Sequence, residues 1–168
     1  VSRPRCVLVG PMGAGKTTVG ELIAAALDVP FRDTDMDIVA SVGKPISEIF
    51  VDDGEDAFRT IERAAVADAL ATCDGVLALG GGAVLAEETR VLLREHVVVY
   101  LSVELSDALS RVGFGAGRPL LTVNPRATLK YLLEQRRPLY LEVATLTVIT
   151  DGRTPEEIAA EVLRGLPD

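Results

Sequence analysis

Positive charge, cysteine, histidine and long apolar runs are all scarce in this chain of 168 residues. Lysine and arginine number 17 against 25 aspartates and glutamates, a net charge of −8, so no broad basic footprint is available for a nucleic-acid backbone. The arginines are therefore read one at a time. Cys6 and Cys73 lie far apart without metal-ligand spacing, which argues against a disulfide framework or a zinc site; both read as small buried residues. His96 stands alone before an apolar run and reads as a bystander. The longest apolar runs, such as Val97 to Leu101, fall far short of membrane-spanning length. No charged-then-apolar leader precedes the first strand, and a cytoplasmic monomer is expected.

What is present suits one globular domain: 48% hydrophobic and 25% charged residues, in a chain long enough to bury a core. Apolar runs at 5–9, 29–32, 76–79, 97–101 and 145–150 read as strands. Helical patterns at 16–27, 37–42, 46–51, 55–71, 87–94, 105–112, 126–136 and 155–163 fall between and after them. Thr154 is the expected N-cap of the last helix, with Pro155 at its first position. Such alternation predicts an α/β protein, a parallel sheet with helices on both faces, which binds ligands beyond the carboxyl ends of its strands. No internal repeat, linker or low-complexity tract interrupts it.

The first strand, Val7-Leu8-Val9, runs straight into GPMGAGKTT, residues 10–18. Gly10, Gly15, Lys16 and Thr17 fit the pattern G-x-x-x-x-G-K-[ST]. The glycines let the loop wrap with its amides inward, so that Gly13, Ala14, Gly15 and Thr18 join the phosphate cradle. The following helix presents its positive end, Lys16 reaches the outer phosphates, and the Thr17 hydroxyl is a ligand for magnesium. A GTPase switch would need Asn-Lys-x-Asp, which is absent, and a large ATPase would need more chain and an apolar run ending in aspartate. The run VLALGGG, residues 76–82, ends instead in glycines, and the first acidic residues after the loop are Asp33 and Asp35. A small-molecule kinase becomes the leading class.

Asp33 and Asp35 are expected on an extended turn, pointing different ways, one toward the water shell of magnesium and the other toward the acceptor. Arg59 lies three residues before Glu62 on one helix face, so the two can pair. Gly80, Gly81 and Gly82 at a strand's end sacrifice backbone entropy unless the main chain bends sharply or meets a ligand closely, and they read as a second cradle. Arg118, in the glycine-flanked loop GFGAGRPLL, is placed to neutralise charge during transfer. Arg136, in RRPLY, offers a planar fork for a carboxylate.

Together these stretches resemble the shikimate kinase family: GPMGAGKTTVG, DTD at 33–35, FRTIE at 58–62, LGGGAV at 79–84, RPLL at 118–121 and RRPLYLEVA at 136–144. The resemblance covers nearly the whole chain, and the ordered set is far more specific than its first member. It implies a three-layer P-loop fold with a five-stranded parallel sheet in the order 2-3-1-4-5, a helical substrate-binding region over about 36–63 and a lid over about 112–124. It also implies transfer of the γ-phosphoryl of ATP to the 3-hydroxyl of shikimate, with Mg2+ as cofactor. Carried over by position, Lys16 and Thr17 serve the phosphates, Asp33 holds magnesium through water, and Asp35 binds the shikimate hydroxyls and is the candidate base. Arg59 and Arg136 clamp the carboxylate, helped by Gly81 and Gly82, with Glu62 orienting Arg59 and Arg118 on the transferred phosphate. Arg111, Arg153 and Pro155 resemble the adenine-stacking positions. Of the adjoining arginines, Arg136 and not Arg137 fits the family pattern of Arg, any residue, Pro-Leu-Tyr. The alternatives are a kinase of another small hydroxy acid such as gluconate, and a nucleotide-binding module that has lost catalysis.

Overall fold

The computed structural model describes residues 3–112 and 124–167. The expected lid, with Arg118, lies outside the described residues apart from its two ends. Strands β1 (Cys6–Val9), β2 (Phe31–Asp33), β3 (Val76–Ala78), β4 (Val98–Ser102) and β5 (Leu146–Ile149) form one sheet in the order β2-β3-β1-β4-β5. All four pairings are parallel, with Leu8 opposite Ala78 on one side and Val99 on the other. The helices are α1 (Lys16–Leu27), α2 (Thr34–Val42), α3 (Ile46–Asp53), α4 (Glu55–Thr72), α5 (Glu87–Leu93), α6 (Leu105–Val112), α7 (Pro125–Val143) and α8 (Pro155–Gly165).

The two-residue period of β1 sorts its side chains onto opposite faces. Cys6 and Leu8 join a core with Val19 and Ile23 of α1 and Ile158 and Val162 of α8. Val7 and Val9 join the other core, with Val66 and Leu70 of α4 and Tyr140 and Val143 of α7. A buried-on-both-faces strand is the reason the first run reads as uninterrupted apolar sequence. A third, small cluster of Ile38, Ile49 and Phe58 joins α2, α3 and α4 beside the sheet. At α8 the expected cap is present, a box in which Thr154 accepts from the Glu157 amide and the Glu157 carboxylate accepts from the Thr154 amide.

The largest departures from the sequence reading are at the start of α2 and the end of α7. The second strand ends on Asp33, and α2 opens at Thr34 rather than Asp37, because the Asp33 carboxylate accepts from the Asp35 amide at 2.8 Å and caps the helix. Asp35 therefore sits in a helical first turn and not in an extended one. The helix expected to stop at Arg136 runs on to Val143 through Pro138. Proline removes a hydrogen bond there, yet Arg136, Tyr140 and Val143 are buried on the same side while Pro138 itself is exposed, so packing overrides the break.

Candidate active site

The loop between β1 and α1 takes its shape from left-handed glycines. Gly10, Gly13 and Gly15 have φ of 151°, 87° and 88°, and a Cβ at Gly10 would stand 2.6 Å from the Leu101 carbonyl oxygen. Helix α1 starts with no side-chain cap and no acidic residue in its first turn, which leaves its first amides and positive end for an anion. Lys16 Nζ donates to the carbonyl oxygens of Gly10 at 2.7 Å and Pro11 at 3.1 Å, holding the loop closed around itself. Thr17 Oγ1 donates to Asp33 Oδ2 at 3.3 Å, joining the loop to the end of β2.

A cavity of about 690 Å³ runs from this loop to α4 and α7. Its lining brings together Gly13, Gly15, Lys16, Thr17, Thr18, Asp33, Asp35, Arg59, Glu62, Gly80, Gly81, Gly82, Arg111 and Arg136, all anticipated from sequence. Ala14 is wholly buried behind the loop. Arg153 and Pro155 stand outside the cavity; Arg153 donates to the Ile149 carbonyl at 2.9 Å and pairs with Glu161 at 2.9 Å. Arg111 reaches across instead, donating to Gly13 O at 3.2 Å and to the side chain and carbonyl of Thr150 at 3.0 and 2.9 Å. Thr150 Oγ1 donates in turn to Ser102 O at 2.8 Å, so Arg111 joins the phosphate loop to the turn after β5.

The acceptor end is crowded with charge. Arg59 Nη1 donates to Glu62 Oε1 at 2.9 Å, and Arg59 Nε to Glu55 at 3.3 Å. Glu62 and Arg136 are each 3% exposed, whereas Arg137 one residue on is exposed, which separates the two adjoining arginines cleanly. Burial pushes the Glu62 carboxyl up, against the pull of Arg59 and Arg136, and pushes Arg136 down. Asp35 is raised to about 6 by burial, then by Asp33 and Glu62, with Lys16 and Arg59 opposing. Its Oδ1 is buried without a hydrogen-bond partner, as is Arg136 Nε. Orphaned polar atoms on both sides of one cavity call for a polar ligand.

Gly80, Gly81 and Gly82 are not among the left-handed glycines. Gly80 and Gly82 are needed for room: a Cβ at Gly80 would stand 2.6 Å from Asp35 Oδ1, and one at Gly82 would collide with the Arg59 guanidinium. The sequence reading missed the apolar wall of Val39, Ile46, Phe50 and Phe58. Phe58 lies 5.0 Å from Phe50 and under the Arg59 guanidinium, 5.3 Å from ring centroid to Cζ. The helical spacing of Ile46, Phe50 and Phe58 in PISEIF and AFRTIE was the available signal. Tyr140 was also missed, although it follows Arg136 by one helical turn.

A glycine loop feeding a helix, set against a cationic and carboxylate pocket in a parallel α/β sheet, defines a P-loop kinase of a small anionic molecule. A family model described as Shikimate kinase matches residues 12–167. A shikimate kinase from Salinispora tropica is 73% identical over 98% of this chain and 98% of its own. The solved shikimate kinase from Acinetobacter baumannii, in complex with shikimate, superposes with a TM-score of 0.93 at 39% identity, covering 98% of this chain and 92% of that one. A gluconokinase from Sinorhizobium meliloti is more distant, with a TM-score of 0.62 at 27% identity over 96% of this chain and 90% of that one. The chain belongs to the shikimate kinase family, and its activity is that of an ATP-dependent shikimate kinase.

Proposed function

We propose that this chain moves the γ-phosphoryl group of ATP to the 3-hydroxyl of shikimate with each residue in a definite role. The carrying observation is that one cavity holds the phosphate loop, an orphaned carboxylate oxygen on Asp35, and Arg59 and Arg136 beyond it. Lys16 leaves the Gly10 and Pro11 carbonyls for the outer phosphates, while the amides opening α1 hold the rest. Arg111 and, from outside the cavity, Arg153 and Pro155 are assigned to the adenine end. Arg118 is assigned to the transferred phosphate from its place in the sequence.

At the acceptor end, Arg59 and Arg136 take the shikimate carboxylate as paired planar forks, and Glu62 holds Arg59 in place. Asp35 Oδ1 accepts from a ring hydroxyl. Binding is the firm part of that role, because phosphoryl transfer passes through a loose transition state that asks mainly for alignment. Helices α2 to α4, about residues 36–63, act as the substrate-binding region, and about 112–124 as the lid, within one domain.

Thr17 and Asp33 suit Mg2+. They supply a hydroxyl and a carboxylate 3.3 Å apart beside the phosphate loop, and no cluster of three or more His, Cys, Asp or Glu side chains among the described residues would form a closed cage. Magnesium keeps most of its water and shares phosphate oxygens, so few protein ligands are the fitting number. When bound, it neutralises charge on the β- and γ-phosphates. A cytoplasmic monomer is the proposed state; no described helix is long and apolar enough to cross a membrane.

Purified protein given Mg-ATP should release ADP only when shikimate is added, followed by a coupled ADP assay. No shikimate-dependent turnover, or equal turnover with gluconate, would overturn the assignment.

A further inference from the structure

Tyr140 is 1% exposed, and its hydroxyl donates to the Gly81 carbonyl oxygen at 2.6 Å. The ring stacks on Tyr100, 5.0 Å between centroids at 27°, so the hydroxyl is aimed by a packed ring rather than a free one. Arg136 lies one turn earlier on α7, and the Tyr140 oxygen favours its charged form against the cost of burial. A phenol has one proton, and here Gly81 receives it. Toward Arg136 the Tyr140 oxygen is therefore an acceptor, the polarity a guanidinium requires.

Gly81 also lies between the two halves of the site. The point at which its Cβ would stand lies 3.4 Å from the Met12 amide nitrogen and 3.6 Å from the Gly10 carbonyl oxygen, both in the phosphate loop. It lies 3.6 Å from Arg136 Nη1 on the other side. Whatever fixes Gly81 fixes the spacing between the phosphate donor and the carboxylate clamp.

We propose that Tyr140 is a positioning residue that pins Gly81 against the phosphate loop and aims Arg136 at the acceptor, the inference resting on the shikimate assignment above. Removing the hydroxyl leaves the part-buried Gly81 carbonyl without its partner and takes an electronegative oxygen from beside Arg136, so both are free to relax toward other groups in reach. The relaxation falls on the acceptor clamp. Nucleotide contacts made by Lys16, Thr17 and the α1 amides do not pass through Tyr140.

Tyr140→Phe keeps the ring and its stacking and deletes the hydroxyl alone. It should raise the shikimate KM by about tenfold, the size expected for losing one hydrogen bond at a part-buried carbonyl. Its kcat should fall less than its KM rises, and the Mg-ATP Kd, measured by calorimetry without shikimate, should stay within about twofold of wild type. An unchanged shikimate KM would overturn the role, and so would a parallel loss of Mg-ATP affinity, the mark of general loosening. Should Tyr140→Phe fail to accumulate folded, Tyr100→Leu frees the ring while leaving the hydroxyl present. It should move the shikimate KM in the same direction by a smaller factor, with Mg-ATP affinity kept, and no movement would count against the role. Wild-type protein run in parallel separates the two levels, because only a wild type inert toward shikimate would undermine the substrate itself.

Discussion

At the scale of single residues, Asp35 holds function and stability in opposition. Its carboxyl ionises at about 6 in the folded chain against an ordinary 3.8, so between those values the folded state keeps a proton that the unfolded chain has released. Stability attached to that proton is complete below the ordinary value and is lost as the pH rises through about 6. Asp35→Asn removes the penalty at neutral pH. We expect it to raise the unfolding free energy at pH 7 by about 1 to 3 kcal/mol in urea melts. Turnover should fall by at least about a hundredfold, with ATP affinity kept. In the wild type, kcat/KM for shikimate should drop below pH 6 by about tenfold per pH unit as Asp35 takes up its proton. The candidate site was largely legible residue by residue because its side-chain types are rare in such a cluster: four cations (Lys16, Arg59, Arg111 and Arg136), two aspartates, and glycines in a row. Tyr140, Phe50 and Phe58 were not legible, since a tyrosine or phenylalanine at helical spacing reads equally as core.

At the scale of elements, the question is what keeps α2 against α4 when Asp35 and Glu62 repel across their contact. The cluster of Ile38, Ile49 and Phe58 supplies part of the answer. Arg32, one residue before Asp33, supplies another. Its guanidinium donates to Asp37 on α2 at 2.7 Å, to Asp68 on α4 at 3.1 Å and to Thr72 at 2.7 Å, and these charges set its balance apart from a lone surface pair. Arg32→Leu should lower unfolding free energy by about 1 kcal/mol. It should also raise the shikimate KM severalfold while leaving Mg-ATP affinity unchanged, which steady-state kinetics and calorimetry together would show. Five strands and eight helices were readable from periodicity. The edges misplaced by more than two residues were those decided by contacts distant in sequence or by one capping carboxylate: Asp33 started α2 early, and buried Tyr140 and Val143 carried α7 past its proline.

At the scale of the molecule, a chain of net charge −8 draws two anionic substrates into one cationic cavity, so attraction must be short-ranged and local. The other whole-molecule property comes from α7. Leu129 and Leu133 near its start belong to the core under α1 and α8, while Tyr140 and Val143 near its end belong to the core under α4. A single helix is thus a structural member of both layers. Far-UV circular dichroism and the near-UV signal of the stacked Tyr100 and Tyr140 should trace one coincident thermal transition, and Leu129→Ala should lower both midpoints together. Two separate transitions would disprove it. The cooperative unit of unfolding then includes the helix that carries Arg136, so partial melting that spares the nucleotide loop but frees the acceptor clamp has no separate intermediate in which to persist.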